Sequence, residues 1–173
     1  MSDNGNDINS WIRSALDEYE GPLLRYAHRI IGDLDRARDV VQETFLRLIK
    51  ANREELNGRL SQWLFTVCRN QSLDVRRKET RMTTLNEPTI AESPTSELSP
   101  DDHAALHDES QQVASLLNDL PDNQQEVIRL KFQNSMSYRQ IAEVTGLSVT
   151  NVGFLLHTGL KTLRLRASKL QNQ

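Results

Sequence analysis

Ser137-Tyr138-Arg139-Gln140-Ile141-Ala142-Glu143-Val144-Thr145-Gly146-Leu147-Ser148-Val149-Thr150-Asn151-Val152 is the stretch on which the reading of this chain turns. Ser137 is placed to cap a short helix, Ala142 is small where two helices must cross closely, and Gly146 permits the left-handed backbone of a tight turn. Leu147 fills the corner. Ser148 then caps a second helix whose Val149, Val152 and Leu156 are expected to face inward. The pattern is a helix-turn-helix. The competing reading is an ordinary αα-hairpin with no DNA role, which the Ala, Gly and Ser placed together disfavour. Around the motif, Arg129, Lys131, Arg139, Lys161, Arg164, Arg166 and Lys169 stand as phosphate contacts would.

Outward from the motif, Val113, Leu116, Leu117 and Leu120 lead to Pro121, read as a first-turn proline opening the helix that carries Val127, Ile128, Leu130 and Phe132. Before that, Pro88, Pro94 and Pro100 punctuate a Ser/Thr/Glu-rich stretch almost without large apolar residues, so 82–105 reads as a flexible acidic linker. It separates two small helical domains, 8–81 and 106–170. In the first, apolar residues recur at helical spacing in Leu23, Leu24, Tyr26, Ala27, Ile30 and Ile31, and again in Val40, Val41, Phe45, Leu46, Leu48 and Ile49. A third stripe holds Leu60, Trp63, Leu64, Val67, Cys68, Leu73 and Val75. Asp33 or Asp35 is a natural N-cap, and Gly58 a break before the third stripe. No period-two pattern with hairpin turns occurs, so the fold class is all-α.

Charge adds the first functional signal. The 173 residues carry a net charge of -3 and a mean hydropathy of -0.59, but the average conceals a pattern. Residues 59–81 hold six bases and two acids, 82–128 hold no base and ten acids, and 129–173 hold seven bases and one acid. Two basic segments flanking an acidic one suit polyanion binding at two separate places. A polar, acidic N-terminus and the lack of any long uncharged apolar run argue against secretion or membrane insertion and for a cytoplasmic protein. The single cysteine, Cys68, closes no intramolecular disulfide and reads as a small core residue.

Two further constellations stand out. Arg69, Asn70, Asp74, Arg76 and Arg77, followed by Lys78 and Arg81, put basic groups at a spacing that tracks a phosphate backbone, with an amide able to pair with an exposed base edge. A solvated basic face is the plainer alternative. Asp35, Asp39 and Glu43, with Gln42 and Phe45, form a carboxylate line at i, i+4 and i+8 on one helix: a solvated face by default, a partner surface otherwise. His103 and His107 are four apart but lack the cysteines or the Glu-x-x-His signature of a zinc site. No phosphate loop, Ser-His-Asp set or His-Glu-x-x-His occurs, so neither a catalytic residue nor a metal or other cofactor is assigned.

The order of these features resembles the extracytoplasmic-function (ECF) group of bacterial sigma-70 family sigma factors. Asp35-Arg36-Ala37-Arg38-Asp39-Val40-Val41-Gln42-Glu43-Thr44-Phe45 is similar to that group's Asp-Ala-Glu-Asp-x-x-Gln-Glu-x-Phe motif in region two. Ser61 through Asn70, with Asp74-Val75-Arg76-Arg77, resembles the promoter-melting segment, and Leu120-Pro121 through Arg164 resembles region four. The resemblance implies that Asp35, Asp39, Gln42, Glu43 and Phe45 dock on the β′ clamp helices of core RNA polymerase, with the β flap as a further polymerase contact. It implies minus-ten contacts by Arg69, Asn70, Asp74, Arg76 and Arg77, a linker threading the RNA channel, and an anti-sigma factor as a candidate further partner. Minus-thirty-five contacts would fall to Arg139, Ser148, Thr150, Asn151, His157, Lys161 and Arg164. The bases that the family carries at 153, 155, 158 and 160 are absent here, where Gly153, Leu155, Thr158 and Leu160 stand. Reading then falls to Thr150, Asn151 and His157, with Leu155 offered to a thymine methyl, or to phosphate contacts and DNA shape. A two-domain helix-turn-helix regulator that never joins polymerase is the alternative, and an interaction module that has lost DNA binding is a third.

Overall fold

A computed structural model describes residues 4–85 and 114–171. Among them there are helices and turns and no strand, in two compact units, with 4–85 in the first and 114–171 in the second. The candidate linker and the His103/His107 pair fall largely or wholly outside the described residues.

The first unit contains α1 (Asn4–Ile31), α2 (Leu34–Lys50), the single turn α3 (Arg53–Leu56) and α4 (Leu60–Leu85). α1 runs well upstream of the Leu23–Ile31 stripe and carries Pro22 in its interior. Gly32 ends it in the left-handed region at φ 83°. Asp33, rather than Asp35, caps α2: its Oδ1 accepts from the Arg36 N–H at 2.9 Å, satisfying one of the open donors of the first turn. Gly58, at φ 73°, turns the chain from α3 into α4. α1, α2 and α4 pack on one another around Leu23, Ala27, Leu48, Leu64, Phe65 and Cys68, all at 0% exposure. Tyr26 and Phe65 meet edge to face with ring centroids 5.2 Å apart. Trp63, read as part of the core stripe, is half-buried, and the full burial falls on Leu64 and Phe65.

The described part of the second unit holds a helical stretch at 114–118, labelled α5, followed by α6 (Asp122–Phe132), α7 (Tyr138–Thr145) and α8 (Val149–Gln171). Pro121 is the N-cap of α6 and not its first helical residue. The helix starts at Asp122, one position later than expected. Leu120, Val127, Leu130, Met136, Ile141, Val144, Val152, Leu155 and Leu156 form the core. Gly159 brings α8 close to α6: a Cβ there would lie 2.7 Å from Ile128 Cδ1.

Candidate functional site

α7 and α8 build the helix-turn-helix from local hydrogen bonds. Ser137 and Gln140 form a reciprocal capping box, the Gln140 N–H donating to Ser137 Oγ at 3.2 Å and the Ser137 N–H to Gln140 Oε1 at 2.8 Å. Gly146 ends α7 at φ 75°, its N–H donating to the Ala142 carbonyl at 2.9 Å. The Asn151 N–H donates to Ser148 Oγ at 3.1 Å, so the Ser148 hydroxyl serves as the N-cap of α8. Val152 and Leu156 face the core, but Val149 is exposed at 48%. Leu155 is buried at 6%, which removes it from any thymine methyl. Thr150, Asn151, His157, Lys161 and Arg164 are exposed along α8, with Arg139 exposed on α7.

Three of the surrounding bases are otherwise engaged. Arg129 is 5% exposed and its Nη2 donates to Asn118 Oδ1 at 2.8 Å and Gln125 Oε1 at 3.5 Å, so it braces the unit from inside and reaches no phosphate. Arg166 pairs with Asp119 at 3.5 Å. Lys131 Nζ donates to the Met136 carbonyl at 3.3 Å and lies 5.6 Å from the centre of the Tyr138 ring. Sequence spacing could not separate these from Arg139, Lys161 and Arg164, because each engagement depends on which segments meet in the folded unit.

In the first unit, Asn70, Asp74, Arg76, Arg77, Lys78 and Arg81 are exposed on α4, with Arg69 half-buried. Arg77 Nη2 donates to Asp74 Oδ1 at 2.6 Å, one turn apart. Arg36 of α2 pairs with Glu79 of α4. α2 turns Asp35, Asp39, Gln42 and Glu43 outward. Two of these carboxylates are matched on their own helix, Asp35 by Arg38 at 3.0 Å and Glu43 by Arg47 at 3.1 Å, while Asp39 stands outside both pairs. Phe45 is 6% exposed and belongs mainly to the core.

The sequence reading missed the apolar part of this face. Leu46 and Ile49, read with the apolar residues that recur at helical spacing on this helix, are 52% and 57% exposed. With Leu16, Leu24, Val41 and an edge of Phe45 they line a groove of about 410 Å³ beside Gln42 and Arg38. The signal was available: at 3.6 residues per turn Leu46 lies about half a turn from Ala37 and Leu48. Cys68 is fully buried, its thiol 3.8 Å from the Leu23 carbonyl, and burial pushes its pKa up to about 12. No group of three or more His, Cys, Asp or Glu among the described residues could hold a metal ion. No helix among them is long and apolar enough to cross a membrane.

A basic helix with an adjoining acidic face in one unit, and a helix-turn-helix in the other, correspond to two known protein regions. Residues 15–82 match Sigma-70 region 2, and residues 110–163 match Sigma-70, region 4. The chain is 32% identical over 163 residues to the ECF RNA polymerase sigma factor SigL of Mycobacterium tuberculosis, spanning 92% of this chain and 90% of that protein. It is 25% identical over 162 residues to SigW of Bacillus subtilis, spanning 86% and 84%. Among solved structures, the sigma factor RpoE of Bartonella quintana in complex with the anti-sigma factor NepR superposes with a TM-score of 0.68 over 88% of this chain and 93% of that one. At 22% identity, that likeness concerns the fold. CnrH in complex with the cytosolic domain of CnrY gives 0.57 at 25% identity, over 97% and 92%. The chain belongs to the sigma-70 family, in its ECF group of RNA polymerase sigma factors. The region-two match over α1, α2 and α4 is what a helix-turn-helix regulator independent of polymerase would lack.

Proposed function

We propose that this sigma factor binds core RNA polymerase through the outward face of α2, directs it to promoters through α4 and α8, and acts by binding and not by catalysis, in the cytoplasm. The observation that carries the reading is the division of labour between units. One exposes an acidic and apolar α2 face beside a basic α4 face, and the other exposes a capped helix-turn-helix with Arg139, Lys161 and Arg164 around it. Asp35, Asp39, Gln42 and Glu43 dock on the β′ clamp helices, with the Leu46/Ile49 groove adding apolar contact, while region four meets the β flap. Arg69, Asn70, Arg76 and Arg77 hold the opened minus-ten strand, with Asp74 competing with the phosphates for Arg77. The upstream duplex is met by α8, with Thr150, Asn151 and His157 toward base edges and Arg139, Lys161 and Arg164 toward phosphates.

An anti-sigma protein is a further candidate partner, supported by the sigma factor RpoE, a relative of this fold solved with the anti-sigma factor NepR bound. The test is transcription by core polymerase supplemented with this chain on a pool of promoter fragments. Specific transcripts that require the chain are the expected result. Core polymerase that neither binds the chain nor gains initiation with it would refute the assignment.

A further inference from the structure

Phe154 is 64% exposed, against 6% and 2% for the adjacent Leu155 and Leu156. A single exposed aromatic residue is ordinary on a protein surface, so its meaning comes from its neighbours on the helix. At about 100° per residue, Thr150, Phe154, His157, Lys161 and Arg164 fall on one stripe of α8 roughly 80° wide, and all five are exposed. The ring sits one turn past the capped start of the helix, between polar groups on one side and cations on the other. Its neighbour Gly153 has no side chain to shield it, and the Tyr138 ring lies against that flank: a Cβ on Gly153 would be 3.6 Å from Tyr138 Cε2.

We propose that Phe154 is a specificity-determining residue of this sigma factor, and that it reads the 5-methyl group of a thymine in the major groove of the upstream promoter element. The proposal rests on the placement of α8 on DNA given above. The thymine methyl is the one apolar group that a base pair presents on its major-groove edge, and phenylalanine is a side chain suited to meet it. The bases that the family carries at 153, 155, 158 and 160 are missing, so this helix has few long donors for guanine, and an apolar contact is the discriminating chemistry its outward face holds beside Thr150, Asn151 and His157. The polar and basic residues along the same stripe favour a polyanionic duplex over an apolar protein surface.

Holoenzyme assembled from core polymerase and the full chain is used to enrich sequences from double-stranded promoter fragments randomised across the upstream element. The enriched duplex is resynthesised with deoxyuridine replacing each upstream thymine in turn, which deletes one methyl and keeps the pairing edge. The wild-type holoenzyme should lose about fourfold in affinity at one thymine, the value expected for one buried methyl group. Phe154→Ala should bind the thymine duplex more weakly and be indifferent to uracil at that position, while Phe154→Leu should keep part of the discrimination. Circular dichroism should show both variants folded, since the ring is exposed.

A wild type insensitive to uracil everywhere, or a Phe154→Ala variant that keeps the full methyl effect, overturns the proposal. An unchanged uracil profile combined with weaker core-polymerase binding also overturns it and assigns the ring to a protein contact. If no upstream sequence is enriched and Lys161→Ala has no effect on DNA binding, the placement of α8 on DNA has failed, which is distinguishable from failure at Phe154 alone.

Discussion

Gln71 Nε2 of α4 donates to Thr44 Oγ1 of α2 at 3.1 Å, and the same Thr44 hydroxyl donates to the Val40 carbonyl at 2.8 Å. This bond ties the helix assigned to promoter melting to the helix assigned to polymerase docking, with Thr44 fully buried. Thr44→Val should destabilise the first unit by about 1 kcal/mol, the net worth of one hydrogen bond. Gln71→Leu in the same chain should add less than its single effect, because the two residues share the bond. Both tryptophans, Trp11 and Trp63, lie in this unit, so urea unfolding followed by tryptophan fluorescence reads it directly.

Reversing charge at Asp39 and Glu43 to lysine should weaken binding to core polymerase about tenfold or more, increasingly at low salt, while leaving the fold intact. Both side chains are exposed, and the Glu43 to Arg47 pair is a surface contact of small stabilising effect. Titration of labelled core polymerase decides the matter. Unchanged affinity in a folded double variant would remove α2 from the interface.

Arg76→Ala and Arg77→Ala should each lower open-complex formation and reduce its salt slope by about 0.7 to 0.9. Arg77 is already paired with Asp74 at 2.6 Å, so its loss should cost less than that of Arg76. Asp74→Asn, by releasing Arg77, should strengthen strand binding. Asn70→Ala should shift base preference instead of overall affinity. Permanganate footprints of the melted region compare all four, and identical footprints would place melting elsewhere.

Asn151 lies in the first turn of α8 with its backbone N–H on the Ser148 cap, the part of a recognition helix that approaches base edges. Asn151→Ala should relax preference at one upstream adenine by roughly 1–3 kcal/mol. Lys161→Ala should weaken binding evenly across promoter variants. A promoter library scored by transcription separates them; equal losses at every base for Asn151→Ala would mean that the helix reads backbone and shape alone.

The Cys68 thiol should resist iodoacetamide in the folded chain at pH 8 and react once the chain is unfolded, as followed by mass spectrometry. Burial holds its pKa near 12, above the ordinary thiol value of about 8.5. The unfolded state therefore loses this proton first, and the stability associated with Cys68 is present below about pH 8.5 and is lost as pH rises toward 12. Cys68→Ala should flatten that alkaline limb.

Much of this molecule is written in local pattern. Ser137, Gly146 and Ser148 act through atoms within three or four positions of themselves, so caps and the turn are legible from residue type and spacing. The acidic, basic and helix-turn-helix segments are equally local, and their order along the chain carries the family resemblance.

Other properties depend on how one helix meets another. Arg129 and Arg139 are alike as sequence, yet Asn118 and Gln125 take the first inside while the second stays in solvent. Leu155 and Phe154 are adjacent apolar residues, and the register of α8 against its unit's core buries one and presents the other. The chain by itself determined that its segments are helical, where the caps and turn at Ser137, Gly146 and Ser148 fall, and what charge each segment bears, because those follow from backbone hydrogen bonding and composition over a few residues. Tertiary packing alone decided which side of each helix is left for a partner, because burial is the joint property of two surfaces distant in sequence.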